Sequence, residues 1–204
     1  ATLRSLLSSR QRMELARDLE LDFAISFEGS RFRVNAYFEQ GRPALAFRAI
    51  PTKIPDPTTL GLPPSVLRMG DEPHGLLLVV GPTGAGKTTT LACLIDRINH
   101  SRPCHVLTVE DPIEYVHVSD KATIHQREVG SDTHDFAAAL KYILRQDPDV
   151  VLVGELHDLE TISAALTAAE TGHLVLATLH TNDAVQTIDR LIDVFQPHQQ
   201  TQAR

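Results

Sequence analysis

The segment LLLVVGPTGAGKTTTLACLIDRI, residues 76–98, decides the fold of this 204-residue chain. Within it, GPTGAGKT at 81–88 fits the phosphate-binding pattern G-x-x-x-x-G-K-S/T at every fixed position. An apolar strand-like run precedes the loop and a helical run follows it, which is the strand–loop–helix context that the pattern requires. The segment therefore predicts a nucleoside triphosphate site at the start of a helix.

The residue types of this loop suit phosphate chemistry. Gly81, Gly84 and Gly86 allow backbone N–H groups to turn toward phosphate oxygens, and the helix N-terminus adds a partial positive charge. We expect Lys87 to bridge the β- and γ-phosphates and the Thr88 hydroxyl to bind Mg²⁺, so ATP and Mg²⁺ are the predicted cofactors. The other loop residues expected at the nucleotide are Pro82, Thr83, Ala85 and Thr89.

Outward from this segment, apolar strand-like runs alternate with helical stretches. The strand-like runs are 76–80, 105–109, 150–153 and 174–178, and the helical stretches lie near 86–99, 132–146, 158–170 and 183–194. Continuous apolar strands that alternate with helices indicate a mostly parallel sheet with helices on both faces. The predicted fold class is α/β.

Residues 1–50 have a different pattern, typical of a small α+β unit. A polar helical stretch at 9–19 is followed by two alternating runs that Gly29 and Ser30 separate, which predicts a hairpin, and by a third run that ends at Pro51. The next stretch, 51–74, contains six prolines and is predicted to be a linker. The predicted nucleotide-binding domain then covers 75–204.

The composition excludes several classes of protein. The two cysteines form no Cys-x-x-Cys pair, which excludes a thiolate zinc module within this span. No apolar run approaches the ~20 residues that cross a bilayer, so we expect no direct membrane insertion. Residues 71–204 carry nineteen acidic against nine basic side chains, which disfavours nucleic acid as the ligand.

Ionisable side chains follow three of the predicted strands. Glu110 and Glu114 follow the run 105–109, Glu155 follows 150–153, and His180 follows 174–178. Parallel-sheet enzymes collect catalytic groups at these carboxyl ends, and hydrolysis needs a group that orients and deprotonates water. Glu155 is therefore a candidate base, although a polar turn that merely ends a strand is the competing interpretation.

Two further positions have structural alternatives. Asp158 precedes a helical run and is expected to be its N-cap. His173 and His180 bracket the strand 174–178, and their spacing points the two rings to opposite faces, which disfavours a shared zinc ion. The spacing leaves open whether each histidine senses the γ-phosphate or forms a hydrogen bond within the core.

Four segments carry a family resemblance. GPTGAGKTTT, TVEDPIEYVH, DPDVVLVGELHDLET and TGHLVLATLHTNDA resemble, in order and spacing, the Walker A, Asp, Walker B and His boxes of secretion-type ATPases. These proteins are the motors of type II secretion and type IV pili. The resemblance covers roughly residues 31–195, and HQREVGSDTHDFAAAL and TIDRLIDVFQP are similar to the pilus retraction members in particular.

The resemblance implies a fold, an activity and partners. It implies a RecA-like P-loop ATPase core, truncated before its C-terminal helices, with part of a PAS-like domain in front of it. The implied function is ATP hydrolysis with Mg²⁺ by a homo-hexamer that powers type IV pilus retraction and twitching motility. The implied partners are inner-membrane platform proteins of the pilus, which places the protein in the cytoplasm at the inner face of the inner membrane.

The resemblance also implies residue roles. Glu155 resembles the catalytic glutamate, Glu110 and Glu114 resemble the Asp-box acids, and His173 and His180 resemble the His-box residues that sense the γ-phosphate. Arginines of the first domain reach nucleotide in this family, and the best matches here are Arg33 and Arg48.

One position departs from the family. The retraction members generally read Gly-Glu-Met-Arg-Asp where this chain reads Gly-Glu-Leu-His-Asp, so His157 replaces a permanent cation with a titratable ring. Two alternatives to a retraction motor stay open: an assembly or secretion ATPase of the same superfamily, and a nucleotide-binding regulatory subunit with little turnover.

Overall fold

A computed structural model describes residues 2–51, 53–181, 183–195 and 200 of the chain. The chain divides into two compact units, Ala1–Lys53 and Ile54–Arg204. Most of the predicted domain 75–204 is described, whereas residue 182 and residues 196–199 and 201–204 lie outside the described residues. None of the helices in the described residues is long and apolar enough to cross a membrane.

The first unit is a three-stranded antiparallel sheet with two short helices. Its elements are α1 (Thr2–Leu6), α2 (Ser9–Asp18), β1 (Glu20–Phe27), β2 (Ser30–Glu39) and β3 (Arg42–Ile50), in the sheet order β1-β2-β3. A capping box between Ser8 and Gln11 begins α2. The two hairpin turns, Glu28–Gly29 and Gln40–Gly41, have positive φ at both central residues, as type I′ turns require. The predicted hairpin at Gly29 is confirmed.

Alternation along these strands separates a core face from a polar face. The buried side chains Leu21, Phe23, Val34 and Ala36 pack with Leu15 of α2. Residues on the opposite face include Arg33 and Arg48, which are direct cross-strand partners between β2 and β3. The first unit is thus a small α+β unit in which helices cover one face of the sheet. Its likeness to a PAS domain stays a prediction.

The second unit contains a five-stranded sheet. Its helices and strands are α3 (Pro64–Arg68), β4 (Gly75–Val80), α4 (Lys87–Ser101), β5 (His105–Glu110), β6 (Thr123–Glu128), α5 (Phe136–Ile143), β7 (Val150–Val153), α6 (Leu159–Glu170), β8 (Leu174–Leu179) and α7 (Ala184–Asp193). The strand order is β4-β8-β7-β5-β6, and every pair is parallel. The predicted parallel sheet is confirmed.

Helices cover both faces of this sheet because its central strands are apolar on both sides. Val151 and Val153 of β7 pack in a cluster with α5 and α6, while Val150 and Leu152 of the same strand pack in a second cluster with α4. All four side chains are buried. Full burial of such side chains stabilises the fold by roughly 1.5–3 kcal/mol each.

The sheet has one strand more than the sequence predicts. β6, with the sequence TIHQRE, forms the edge beside β5 and is largely polar. An edge strand buries little apolar surface, so it lacks the apolar run by which the other four strands are predicted.

The stretch predicted as a linker, 51–74, belongs mostly to the second unit. Pro63 is the N-cap of α3 and Pro64 occupies its first turn, a position where the missing N–H costs nothing. Asp71 then forms an ion pair with Arg97 of α4 at 2.6 Å. Proline density therefore marks a helix start here as well as turns.

Candidate nucleotide site

The loop between β4 and α4 forms a cradle of backbone groups. Gly81 has φ 150°, and a Cβ at this position would lie 3.1 Å from the Cβ of Ala85. Gly86 precedes α4 in a left-handed conformation, with no side chain capping the helix. The first-turn N–H groups of a helix have no partners within the helix, so the start of α4 is free to bind an anion.

Pro82, Thr83, Gly84 and Ala85 form the exposed tip of the loop, and Thr88 is half-buried in the first turn of α4. The structure thus brings the predicted cofactor-binding residues of the loop together at one helix start.

Lys87 is the buried cation of this cradle, with only 9% of its surface exposed. Its Nζ donates to the carbonyl oxygens of Gly81 at 3.0 Å and Pro82 at 3.2 Å, and lies 3.4 Å from Nδ1 of His180. An ammonium group donates and never accepts, so Nδ1 of His180 accepts and the hydrogen of the neutral ring is on Nε2. Lys87 therefore determines the tautomer of His180.

Glu155 lies next to this histidine, directly after β7. Its Oε1 is 2.9 Å from Nε2 of His180 and its Oε2 is 3.2 Å from Nε2 of His157. The three side chains form a histidine–glutamate cluster (His157, Glu155 and His180) that is connected to Lys87. The predicted base is therefore linked to the phosphate cradle.

Backbone contacts fix the segment that carries Glu155. The N–H of Gly154 donates to the carbonyl of Val109 at 2.8 Å, and the hydroxyl of Thr178 donates to the carbonyl of Gly154 at 2.6 Å. A Cβ on Gly154 would lie 3.2 Å from the carbonyl oxygen of Val109, so a larger residue here requires the backbone of β5 to shift by a few tenths of an ångström. Glu155 is thus held between β5 and β8.

Asp158 ends this segment and begins α6. Its carboxylate accepts from the N–H of Thr161 at 2.8 Å, and the Thr161 side chain completes a capping box. The expected N-cap is confirmed, and it explains why α6 begins at Leu159, four residues after Glu155.

Glu110 ends β5 in a buried hydrogen-bond network and is 7% exposed. Its Oε1 accepts from the hydroxyl of Thr108 at 2.6 Å and from Nε2 of Gln126 at 3.2 Å. Burial raises the pKa of Glu110, and these two hydrogen bonds oppose the increase. The half-buried Glu114 acts on the same carboxylate through its own charge and its backbone N–H, so the structure brings the two Asp-box acids together.

Two residues of this region were not among the predicted site residues. The hydroxyl of buried Tyr115 lies 3.3 Å from the hydroxyl of Thr89 on α4, and Gln126 donates to the carbonyl of Tyr115 at 2.8 Å. Tyr115 is part of the TVEDPIEYVH segment, so the sequence contained a pattern that could have identified it as a site residue. Gln126 lies on the unpredicted strand β6, and no pattern pointed to it.

His173 lies apart from the cradle residues of this unit, and its predicted role at the γ-phosphate stays a prediction. It precedes β8 at the amino end, and its Nδ1 lies 2.9 Å from the carbonyl of Ala168 and 3.2 Å from the hydroxyl of Thr171. The strand Leu174–Leu179 separates it from His180, a rise of roughly 20 Å. The structure does not bring His173 to the cradle, because residues that bracket a strand lie at opposite edges of the sheet.

The predicted arginines belong to the first unit. Arg33 lies 3.9 Å from Asp22, and Arg48 is exposed beside it on the same face of that sheet. Their contact with nucleotide stays a prediction.

The chain matches known proteins along most of its length. Residues 57–202 match the profile of the family described as "Type II/IV secretion system protein". The chain belongs to this family.

Two curated members of the type II/IV secretion system family illustrate the similarity. The chain is 48% identical over 205 residues to the type IV pilus retractation ATPase PilT of Pseudomonas aeruginosa. This alignment covers 100% of the present chain and 60% of the Pseudomonas protein. It is 50% identical over 192 residues to a twitching motility protein of Neisseria gonorrhoeae, covering 94% of this chain and 51% of that protein. The chain thus spans between about half and 60% of the length of these relatives.

A solved structure of the family has the same fold. The crystal structure of the pilus retraction motor PilT with bound ADP superimposes with a TM-score of 0.96 at 49% sequence identity. The match covers 98% of this chain and 59% of that one. Family membership and the α/β ATPase fold therefore rest on both sequence and structure.

Proposed function

We propose that this chain is the ATP-hydrolysing part of a motor that retracts type IV pili and powers twitching motility. One observation carries the proposal: Lys87 of the phosphate cradle is connected through His180 to the carboxylate of Glu155. The residue that we expect to bind phosphate and the residue that we expect to activate water are thus close to each other, and phosphoryl transfer to water needs both groups in position.

In the proposed reaction, the cradle N–H groups and Lys87 hold the β- and γ-phosphates. Glu155 orients a water molecule and accepts its proton as the water oxygen attacks the γ-phosphorus and the bond to the ADP oxygen breaks. Nε2 of His180 lies 2.9 Å from Oε1 of Glu155, so the carboxylate is next to the ring that contacts Lys87. Catalysis of this kind depends mainly on positioning and charge.

The residues present fit a magnesium ion. Thr88 follows Lys87 in the first turn of α4, and a hydroxyl in this position suits a hard cation that keeps waters and binds phosphate oxygens. When bound, Mg²⁺ neutralises charge that develops on the phosphates. We propose that Glu110 and Glu114 contribute the acidic surroundings of this ion and the water.

The assembly is also a proposal, since the relatives are longer than this chain. We propose a homo-hexamer in which Arg33 and Arg48 of the first unit reach nucleotide. The proposed partners are the inner-membrane platform proteins of the type IV pilus, and the proposed location is the cytoplasmic face of the inner membrane.

The family description also covers secretion systems, so an assembly or secretion motor is the second candidate. Deletion of the gene separates the two in cells. Loss of a retraction motor leaves pili that are assembled and do not retract, whereas loss of an assembly motor leaves no pili. Steady-state phosphate release from ATP by the purified protein excludes a third candidate, a regulatory subunit that binds ATP with little turnover.

A further inference from the structure

Gln126 of the edge strand β6 lies beside the Asp-box acid Glu110. It is the register partner of Thr108 in the parallel pair β5–β6, so these two side chains lie on the same face of the sheet. Glu110 follows Thr108 by two residues on β5 and therefore shares this face. The alternation of the two strands thus brings an amide, a hydroxyl and a carboxylate together at the carboxyl end of β5.

The partners of the half-buried Gln126 amide fix its orientation. Its Nε2 donates to the carbonyl of Tyr115 at 2.8 Å and to Oε1 of Glu110 at 3.2 Å. Its Oε1 accepts from the N–H of His117 at 2.8 Å. A backbone carbonyl only accepts and a backbone N–H only donates, so these two partners assign the nitrogen and the oxygen of the amide. The NH₂ group therefore faces Glu110, and a flipped amide would lose both backbone hydrogen bonds.

Two donors hold the same oxygen of the buried Glu110 carboxylate. Besides Gln126, the hydroxyl of Thr108 donates to Oε1 at 2.6 Å. Burial raises the pKa of Glu110, and the hydrogen bonds from Thr108 and Gln126 oppose this increase because they stabilise the ionised form. The carboxylate therefore depends on these two side chains both for its position and for its charge.

The segment between β5 and β6 connects Gln126 with the start of α4. The hydroxyl of Tyr115, whose carbonyl accepts from Gln126, lies 3.3 Å from the hydroxyl of Thr89. Thr89 directly follows Thr88, the residue that we expect to bind Mg²⁺ in the first turn of α4. The amide that holds Glu110 is thus itself held by a loop that contacts the helix of the phosphate cradle.

We propose that Gln126 is a positioning residue of the ATPase site, which fixes the carboxylate of Glu110 relative to the first turn of α4. This inference rests on the proposed function, in which Glu110 contributes to the surroundings of the magnesium ion and the water. Gln126 acts through Glu110 and not on ATP, because both hydrogens of its NH₂ group and its oxygen are used within the protein. Its loss should therefore lower kcat and leave the affinity for ATP nearly unchanged.

The test compares kcat for phosphate release with ATP affinity in two variants of the purified protein. Gln126→Met keeps the length of the side chain and removes all of its hydrogen bonds. Gln126→Glu keeps an acceptor for the N–H of His117 and replaces the donor that faces Glu110 by an oxygen. Gln146→Met and Gln146→Glu are the matched controls, at an exposed glutamine before the amino end of β7.

We expect Gln126→Met and Gln126→Glu to lower kcat by about tenfold or more, the effect of one lost hydrogen bond to a charged group. Both should bind ATP within about threefold of wild type, and both Gln146 variants should behave as wild type does. Circular dichroism confirms that each variant is folded.

Two further variants show whether the effect passes through the carboxylate. Thr108→Val removes the other donor to Oε1 of Glu110 and leaves the hydrogen bonds of Gln126 with the loop in place, so it should also lower kcat. In a Glu110→Gln background the ionised carboxylate is absent, so Gln126→Met should lower kcat by a smaller factor than it does in wild type. The same factor in both backgrounds contradicts the inference.

The inference and the proposed function can fail separately. If wild type hydrolyses ATP and both Gln126 variants retain its kcat, or lose kcat and affinity equally, the inference is wrong and the proposed function stands. If wild type releases no phosphate, the proposed function fails. Crystal structures of wild type and Gln126→Met then test the positioning alone, because the Glu110 carboxylate should leave its place in the variant, and an unchanged carboxylate contradicts the role.

Discussion

Lys87 contacts both the phosphate-binding loop and the histidine beside the proposed base. Each of its three N–H donors has an acceptor within the loop or on His180. This arrangement aligns the ammonium with the cradle and gives His180 the tautomer with its hydrogen on Nε2, the nitrogen that lies 2.9 Å from Glu155. One lysine therefore serves both phosphate binding and the orientation of the base.

Lys87→Ala should weaken ATP binding by about 10- to 100-fold, the loss expected when charge-assisted hydrogen bonds to phosphate are removed. Titration with a fluorescent ATP analogue measures the affinity. Lys121→Ala, at an exposed lysine before β6, is the control and should bind as wild type does. Unchanged affinity in Lys87→Ala contradicts the assignment of the cradle.

At the scale of elements, the carboxyl ends of β4, β5, β7 and β8 bring the site residues together. Gly154, directly after β7, packs against the backbone of β5, and its small size determines where Glu155 lies. The cradle belongs to β4 and α4, which do not depend on this approach. A substitution at Gly154 should therefore change the position of Glu155 without changing how the loop binds phosphate.

Gly154→Ala should lower kcat by about tenfold or more, with little change in ATP affinity, because the new methyl group meets the backbone of β5 and displaces Glu155. Stopped assays of phosphate release and nucleotide titration give the two values. Gly70→Ala is the matched control, since the nearest atoms to its methyl group would be side-chain carbons of Leu94 and Ile98, at an ordinary contact distance of 3.5 Å. Equal losses of kcat and affinity would argue against a local displacement of the base.

The elements that sequence predicts well are those that bury apolar residues. β4, β5, β7 and β8 are continuous apolar runs, and the glycine-rich loop has a fixed spacing, so both could be predicted. β6 could not be predicted, because a strand at the edge of the sheet lacks the continuous apolar run that marks the other four strands. The cluster around Glu155 could be predicted only in part, since spacing along the chain does not show which histidine reaches a carboxylate and which lies at the far edge.

In the whole molecule, the free energy of unfolding depends on pH through buried ionisable groups, and His117 is one of them. His117 lies in the segment between β5 and β6, and burial lowers its pKa to about 4. Its ordinary value in an unfolded chain is ~6.5. Between these values the unfolded state binds more protons, so the free energy of unfolding falls as the pH drops from ~6.5 to about 4.

His117→Gln should therefore lose less stability than wild type between pH 6.5 and 4, because glutamine has no proton to gain on unfolding. Urea denaturation across this pH range, followed by circular dichroism, measures the free energy of unfolding. His134→Gln, at an exposed histidine before α5, should follow the wild-type curve. Parallel curves for wild type and His117→Gln would show that His117 is not protonated on unfolding.

The central claim is that Glu155 activates the water that attacks ATP. The most direct measurement compares phosphate release and ATP affinity in Glu155→Gln, with Glu160→Gln as the control at an exposed glutamate of α6. We predict that Glu155→Gln binds ATP within about threefold of wild type and hydrolyses it at least about 100-fold more slowly, the size of effect that general base catalysis has. Turnover at the wild-type rate in Glu155→Gln would contradict the account.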